Sequence, residues 1–205
     1  MTFVLLSNDT HWDILKNVNP IIKWKRVDNI SSLLAEKNAD AYFNLQDSSA
    51  DIDYSQLDIP IFINSVTKTL TDIRANKNVF RINAWQGFLE KDIWEIAGSV
   101  SPQFESIIKT LNKKYIMVDD ELGFVSARII AMIINEAYFA KGENVSTEAE
   151  IDIAMKLGTN YPYGPFEWSK IIGINNVYGL LKKLSETDER YAPAPEMENE
   201  INKKA

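Results

Sequence analysis

The sequence predicts an α/β half followed by an all-helical half, and three observations carry that reading. Short apolar runs of strand length alternate with short helical segments as far as Val118. Beyond that point the apolar spacing is helical throughout. The chain's 205 residues, 45% of them hydrophobic, suffice for one good core or two small ones. The expected division is 1–118 and 119–205.

In the first half, Phe3 to Leu6 is a short continuous apolar run, as expected of a buried parallel strand. Trp12 to Val18 reads as a helix that ends before Pro20. Ile21 to Val27 mixes apolar and basic residues and suggests a second strand. Ile30 to Asn38 places Ile30, Leu33 and Leu34 at helical spacing. Ala41 to Leu45, Pro60 to Asn64 and Val79 to Asn83 read as three more strands. Strands alternating with helical segments imply a parallel sheet with crossover helices, a Rossmann-like half. There is no internal repeat.

In the second half, Phe104 to Leu111 sets Phe104, Ile107, Ile108 and Leu111 on one helix face, and Tyr115 to Val118 closes the sheet. From Gly123 to Phe139 apolar residues are dense enough to predict a helix buried nearly all round. Glu136 within it then needs a partner, for which Arg128 is the candidate. Thr147 with Glu150 is a capping-box pattern that starts another helix, and Gly158 is its expected stop. Pro165 after Gly164 suits a helix entry, and Asn176 to Leu184 is a final amphipathic helix. The tail from Ala192, Pro-rich and then polar, is expected to fray.

Composition excludes several functions. A net charge of -7 and a pI near 4.9 argue against nucleic-acid binding, which needs a basic stripe. The absence of cysteine removes disulfides, thiolate metal sites and cysteine nucleophiles, and fits a reducing cytoplasm. The start Met1-Thr2-Phe3-Val4-Leu5-Leu6-Ser7 has no signal-peptide pattern, and no apolar run approaches the ~20 residues of a membrane span. The expectation is a soluble cytoplasmic protein with no metal, no membrane contact and no nucleic-acid partner.

Several loose motifs occur in a telling order. They are Asp120-Glu121-Leu122-Gly123-Phe124-Val125-Ser126-Ala127-Arg128, Asn135-Glu136-Ala137, Glu150-Ile151-Asp152-Ile153-Ala154-Met155-Lys156-Leu157-Gly158, Tyr161-Pro162-Tyr163-Gly164-Pro165-Phe166-Glu167-Trp168 and Arg190-Tyr191-Ala192-Pro193-Ala194-Pro195. Together, from Val118 to Pro195, they resemble the C-terminal helical domain of 3-hydroxyacyl-CoA dehydrogenases. The resemblance implies an NAD-dependent oxidoreductase family, a helical domain that forms a homodimer, and an acyl-CoA ligand. Tyr161, Tyr163, Phe166 and Trp168 are expected to pack helices together, or else to serve a dimer contact or an apolar pocket.

The family's working positions are altered in this sequence. A Rossmann turn holds the diphosphate with backbone N–H groups and uses glycines for close approach. Here the turn is Ser7-Asn8-Asp9-Thr10-His11, without glycine and with a carboxylate at Asp9. Asp28, at the end of the second strand, is the surviving trace of a ribose-binding acid. Only a short helix fits between Asp28 and Ala41, which implies a trimmed domain. In the stretch Arg81 to Ile96, Glu95 falls on the family's glutamate, but Asn83 takes the place of its histidine. An amide is no general base near neutral pH. Asn64 is kept in the polar strand-end motif, where Val66 replaces the substrate serine. Ala127 replaces the substrate asparagine, and the neighbouring Ser126 points about 100° away around the helix. His11 is expected on the surface. The resemblance therefore implies a homologue without dehydrogenase activity and without a cofactor, dimerising or binding acyl-CoA. The competing expectation is an active NAD(P)-dependent enzyme of fatty-acid β-oxidation with relocated groups.

Overall fold

The structure is a computed structural model that describes residues 1–46, 52–55 and 57–204. Two compact units divide it, Met1–Phe124 and Val125–Ala205. No helix among the described residues is long and apolar enough to cross a membrane.

The first unit is a seven-stranded sheet. Its strands are β1 (Thr2–Leu6), β2 (Lys23–Val27), β3 (Ala41–Asn44), β4 (Ile61–Asn64), β5 (Val79–Ile82), β6 (Ile93–Ala97) and β7 (Lys114–Met117), in the order β2-β1-β3-β4-β5-β6-β7. Helices α1 (Asp9–Leu15), α2 (Ile30–Ala35) and α3 (Pro102–Thr110) cross between strands. The short apolar runs form strands because both faces are covered: β3, β4 and β5 are buried at every residue. Parallel register sets Phe43 beside Phe62 and Phe62 beside Phe80. Their rings stack at 4.9 and 5.2 Å, and Phe104 of α3 lies 4.7 Å from Phe80. Gly98 closes this row. It has φ +153°, and a Cβ there would lie 2.6 Å from Phe80 Cδ1.

The sheet is not wholly parallel, which corrects the sequence expectation. Residues 93–97, not expected as a strand, form β6, antiparallel to β5 and parallel to β7. The connection over residues 83–92 is too short for a helical crossover, so the chain turns back instead. Helix α1 also sits earlier than expected, since Asn8 caps it by accepting from the His11 N–H at 2.8 Å.

On the opposite sheet face from Phe80, Arg81 is fully buried, at 0% exposure. Its Nε donates to the Ser65 carbonyl at 2.9 Å, its NH1 to Asp120, and its NH2 to the Glu121 carbonyl at 3.2 Å. The guanidinium also lies 4.7 Å from the Phe124 ring. Burial works against its charge, and Asp120 offsets that effect. The Asp120 carboxylate in turn accepts from the Leu70 N–H at 2.8 Å and the Thr71 N–H at 3.3 Å.

The second unit is helical: α4 (Ser126–Gly142), α5 (Glu148–Thr159), α6 (Pro165–Ile172), α7 (Ile174–Ser185), a 3-10 turn (Glu189–Tyr191) and α8 (Pro195–Lys204). Helix α4 is central and packs against α6, α7 and α8. Ala127, Ala131, Ile134, Asn135 and Tyr138 form its buried face. It is not buried all round, contrary to expectation: Ile129 is 53% exposed, and Glu136 is exposed and needs no partner for its charge. Dense apolar spacing measures hydrophobicity but not how many neighbours surround a helix.

The capping box at α5 is present, and hydrogen bonds from Ser146 and Thr147 hold the Glu150 carboxyl down to about 2. Gly158 does not stop this helix; Asn160 does, in the left-handed region at φ 57°. Nor does the tail fray. Asn135 grips it with both ends of its amide, donating to the Ala192 carbonyl at 2.9 Å and accepting from the Ala194 N–H at 2.8 Å. Pro195 then opens α8 at a position where a proline costs no hydrogen bond, and Met197 is buried.

Removing one member of a buried ion pair strands the other. Asp120→Ala should therefore lower stability by about 3–5 kcal/mol in urea unfolding, and a loss below about 1 kcal/mol would contradict this role for the pair.

Candidate functional site

The carboxyl ends of β1, β4 and β5 carry the Ser7–His11 turn, Asn64 with Val66, and Asn83. The order β2-β1-β3 reverses the winding between β1 and β3, and open α/β sheets take their ligands outside the strand ends at such a point. Here β3 and β4 end on buried Asn44 and Asn64, and Asn83 directly follows β5. Asn44 Nδ2 donates to the Tyr54 hydroxyl at 2.8 Å. Asn64 Oδ1 accepts from the Ala84 N–H at 3.1 Å, and Asn83 Oδ1 accepts from the Trp85 N–H at 3.2 Å. All three amides thus engage polar groups of their own unit.

The turn back at β6 explains why Asn83 and Glu95 belong together. Arg81 pairs with Ala97 and Ile82 with Ile96, so the register continued by one residue sets Asn83 opposite Glu95. Glu95 is half-buried. An amide and a carboxylate in this arrangement can orient a polar group. Removing a proton from a hydroxyl would fall to the carboxylate alone, since an amide has no such capacity. Val66 is buried, and its carbonyl accepts from the Gly123 N–H at 2.8 Å. Asp28 is exposed and directly precedes Asn29, the cap of α2.

The β1–α1 turn is closed by its own groups. Arg26 of β2 lies 2.7 Å from Asp9 and donates to the Ser7 carbonyl at 3.0 Å. His11 is not on the surface, which corrects the sequence expectation: it is 5% exposed, and its Nδ1 has no hydrogen-bond partner. As an inward residue of α1 it shares a helix face with buried Leu15. Burial pushes the imidazole's pKa below its ordinary value, against the backbone of Ala84 and Leu45 and the charge of Glu90.

In the helical unit, Ala127 is a fully buried residue of α4. The aromatic segment divides: Phe166 and Trp168 are buried, while Tyr161 and Tyr163 are exposed. Phe166 meets Tyr138 at 5.0 Å and Trp168 meets Tyr163 at 4.9 Å, both edge-on. The segment turns on Asp152, which sequence reasoning quoted without a role. Its buried carboxylate accepts from the Phe166 N–H at 2.8 Å and caps α6. A Cβ on Gly164 would lie 2.3 Å from Asp152 Oδ1, so glycine is required there by contact. Glu167 accepts from the Gly164 N–H at 2.9 Å and pairs with Lys156. Arg81 did leave a signal, as a lone charge within the apolar run Val79 to Ile82. Asp152 left none, because its partner is a backbone N–H fourteen residues away.

An open, mostly parallel α/β sheet in one unit and a set of packed helices in the other define the class of fold. Residues 123–204 match the model of the 3-hydroxyacyl-CoA dehydrogenase C-terminal domain. It is 42% identical over 83 residues to a 3-hydroxyadipyl-CoA dehydrogenase of Escherichia coli, covering 40% of this chain and 18% of that protein. It is 33% identical over 93 residues to a 3-hydroxybutyryl-CoA dehydrogenase of Bradyrhizobium diazoefficiens, covering 44% and 32%. The matched part thus spans about a fifth to a third of these relatives' lengths. Among solved structures, an (S)-3-hydroxybutyryl-CoA dehydrogenase of Ralstonia eutropha superposes at TM-score 0.78 over 99% of this chain and 94% of that one, at 18% identity, a likeness of fold. A 3-hydroxybutyryl-CoA dehydrogenase of Escherichia coli superposes at 0.60 over 81% of this chain and 36% of that one, at 28% identity.

Gly164→Ala should destabilise the helical unit by about 1–3 kcal/mol, because α6 must move away from Asp152. Thermal unfolding measures this, and an unchanged midpoint would show that the close approach is absent in solution.

Proposed function

We propose that this chain is a 3-hydroxyacyl-CoA dehydrogenase homologue without dehydrogenase activity, acting as a dimerising or acyl-CoA-binding protein. The observation that carries the reading is Asn83. The reaction needs a base to take the hydroxyl proton as hydride leaves, and an amide has no such capacity. Opposite it, Glu95 is a relic of a base–carboxylate pair and can still orient the Asn83 side chain.

The β1–α1 turn supports a chain that works without NAD. It has no glycine for close approach, its cap is Asn8, and the Asp9 carboxylate is set beside Arg26. A dinucleotide's diphosphate needs open N–H groups and no fixed negative charge at this place. These residues do not fit it. Exposed Asp28 on its own would be an insufficient anchor for a ribose. Substrate contact is weakened in the same way. Val66 and Ala127 carry no polar group, and the Asn64 acceptor is engaged by the Ala84 N–H.

The helical unit supports the association half of the proposal. Ile153 and Leu157 lie one turn apart on α5 at 53% and 83% exposure, and Tyr161 and Tyr163 follow them. Contiguous exposed apolar residues of this kind mark association surfaces, and a second copy of the chain is the proposed partner. The absence of cysteine from the sequence is in keeping with a reducing cytoplasmic setting beside acyl-CoA metabolism.

The alternative is an active NAD(P)-dependent dehydrogenase of β-oxidation with relocated groups, and it needs a substitute base. His11 packs against the Ala84 backbone, next to Asn83, and so is the nearest candidate. With 5% of its surface exposed it offers no face to a substrate.

NADH fluorescence and sedimentation test the proposal together. The expected result is no saturable NADH binding up to millimolar concentration, with a dimer that Leu157→Glu converts to monomer. Micromolar NADH binding, or a wild-type monomer, would overturn the corresponding half.

A further inference from the structure

His11 is the chain's one histidine, and it stands at the winding reversal where open α/β sheets take their ligands. Its ring is turned inward at 5% exposure with Nδ1 unpartnered. Leu45, just past β3, and Ala84, just past β5, present their backbones to it. The imidazole thus wedges α1 against the segment that carries Asn83.

That segment is pinned unevenly. Its downstream end is held by the Trp94 indole N–H on the Leu89 carbonyl at 2.9 Å. The Lys113 ammonium adds bonds to the Leu89, Glu90 and Lys91 carbonyls at 3.3, 3.3 and 2.6 Å. Upstream, the buried Ala84 and Trp85 rest on amide acceptors at 3.1 and 3.2 Å, joined by the local bonds of the Phe88 N–H to the Trp85 carbonyl at 2.9 Å and of the Gly87 N–H to Glu90 at 3.2 Å. The charged groups around His11 do little to hold a cation there. Glu90, on the same segment, favours a charged ring but is exposed. Asp9, on the first turn of α1, is engaged by Arg26 of β2. The backbone of Ala84 and that of Leu45, at the ends of β5 and β3, favour a charged ring too, and burial outweighs them.

We propose that His11 is an acid-operated latch: neutral, it holds the carboxyl ends of β3 and β5 against α1, and protonated, it leaves and frees Ala84 to Phe88. The sign follows from burial. The folded chain holds the ring's pKa below the ordinary 6.5. The latch is therefore fully closed above that value, and its contribution is lost as the pH falls below it. This device is independent of whether the chain has an enzymatic activity.

Amide hydrogen exchange on the full chain tests it, at about pH 7.5 and about pH 5.5 and corrected for the intrinsic pH dependence of exchange. In the wild type the amides of Ala84, Trp85 and Phe88 should lose about ten-fold or more in protection, while those of β4 and of α4 keep theirs. In His11→Gln and His11→Phe the pH-dependent loss should vanish. The proposal is overturned by the same loss in either folded variant, by no loss in the wild type, or by simultaneous loss across the sheet. A single histidine also gives a single imidazole resonance. Its titration midpoint in the wild type must coincide with the loss of protection, and a mismatch overturns the latch even if neither variant folds.

Discussion

The buried Arg81 guanidinium is the interaction on which the rest of the sheet unit depends. It stands on a central strand and gathers the Ser65 carbonyl after β4, the Asp120 carboxylate and the Glu121 carbonyl after β7. Asp120 then holds the Leu70 and Thr71 amides, and the Val66 carbonyl receives the Gly123 N–H. The connection from β4 to β5 contains no helix among its residues, so it has no packing stripe of its own. It is instead tied down by charge. A buried ion pair adds little net stability over an apolar core, but breaking it is costly. Its effect here is to fix where Asn64, Val66 and Asn83 stand.

That arrangement separates what was legible in the sequence from what was not. Strands β1, β3, β4 and β5 were legible because burial on both faces leaves a continuous apolar run. The capping box at Thr147 and the helix entry at Pro165 were legible because their hydrogen bonds span only a few residues. Strand β6 was not, since Ile93-Trp94-Glu95-Ile96-Ala97 carries an acid in its middle and its first residue is exposed. The buried state of His11 was hidden because Leu45 and Ala84, which cover it, come from distant parts of the chain. Helix α8 was hidden because its order comes from Asn135, nearly sixty residues away.

The candidate site followed the same rule. The residue types at Asn83, Glu95, Val66 and Ala127 could be read directly, together with the chemistry they lack. Their surroundings could not. The antiparallel turn that sets Asn83 opposite Glu95, and the engagement of Asn64 by Ala84, are products of folding. Asp152 is a further case: its acid was visible, but its role in requiring Gly164 needed the helices in place. Sequence similarity to curated dehydrogenases covers less than half of the chain, while likeness of fold extends over nearly all of it. The family-model match lies in the helical unit, and the likeness of fold takes in the sheet as well.

We propose that this architecture lacks the base that the reaction of 3-hydroxyacyl-CoA dehydrogenases requires. A turnover assay tests it most directly, with purified chain, 3-oxoacyl-CoA substrates of several lengths, and NADH or NADPH as reductant. The account predicts cofactor oxidation no faster than in an enzyme-free blank for every pairing. Saturable turnover that scales with protein concentration and disappears in Glu95→Gln would contradict it.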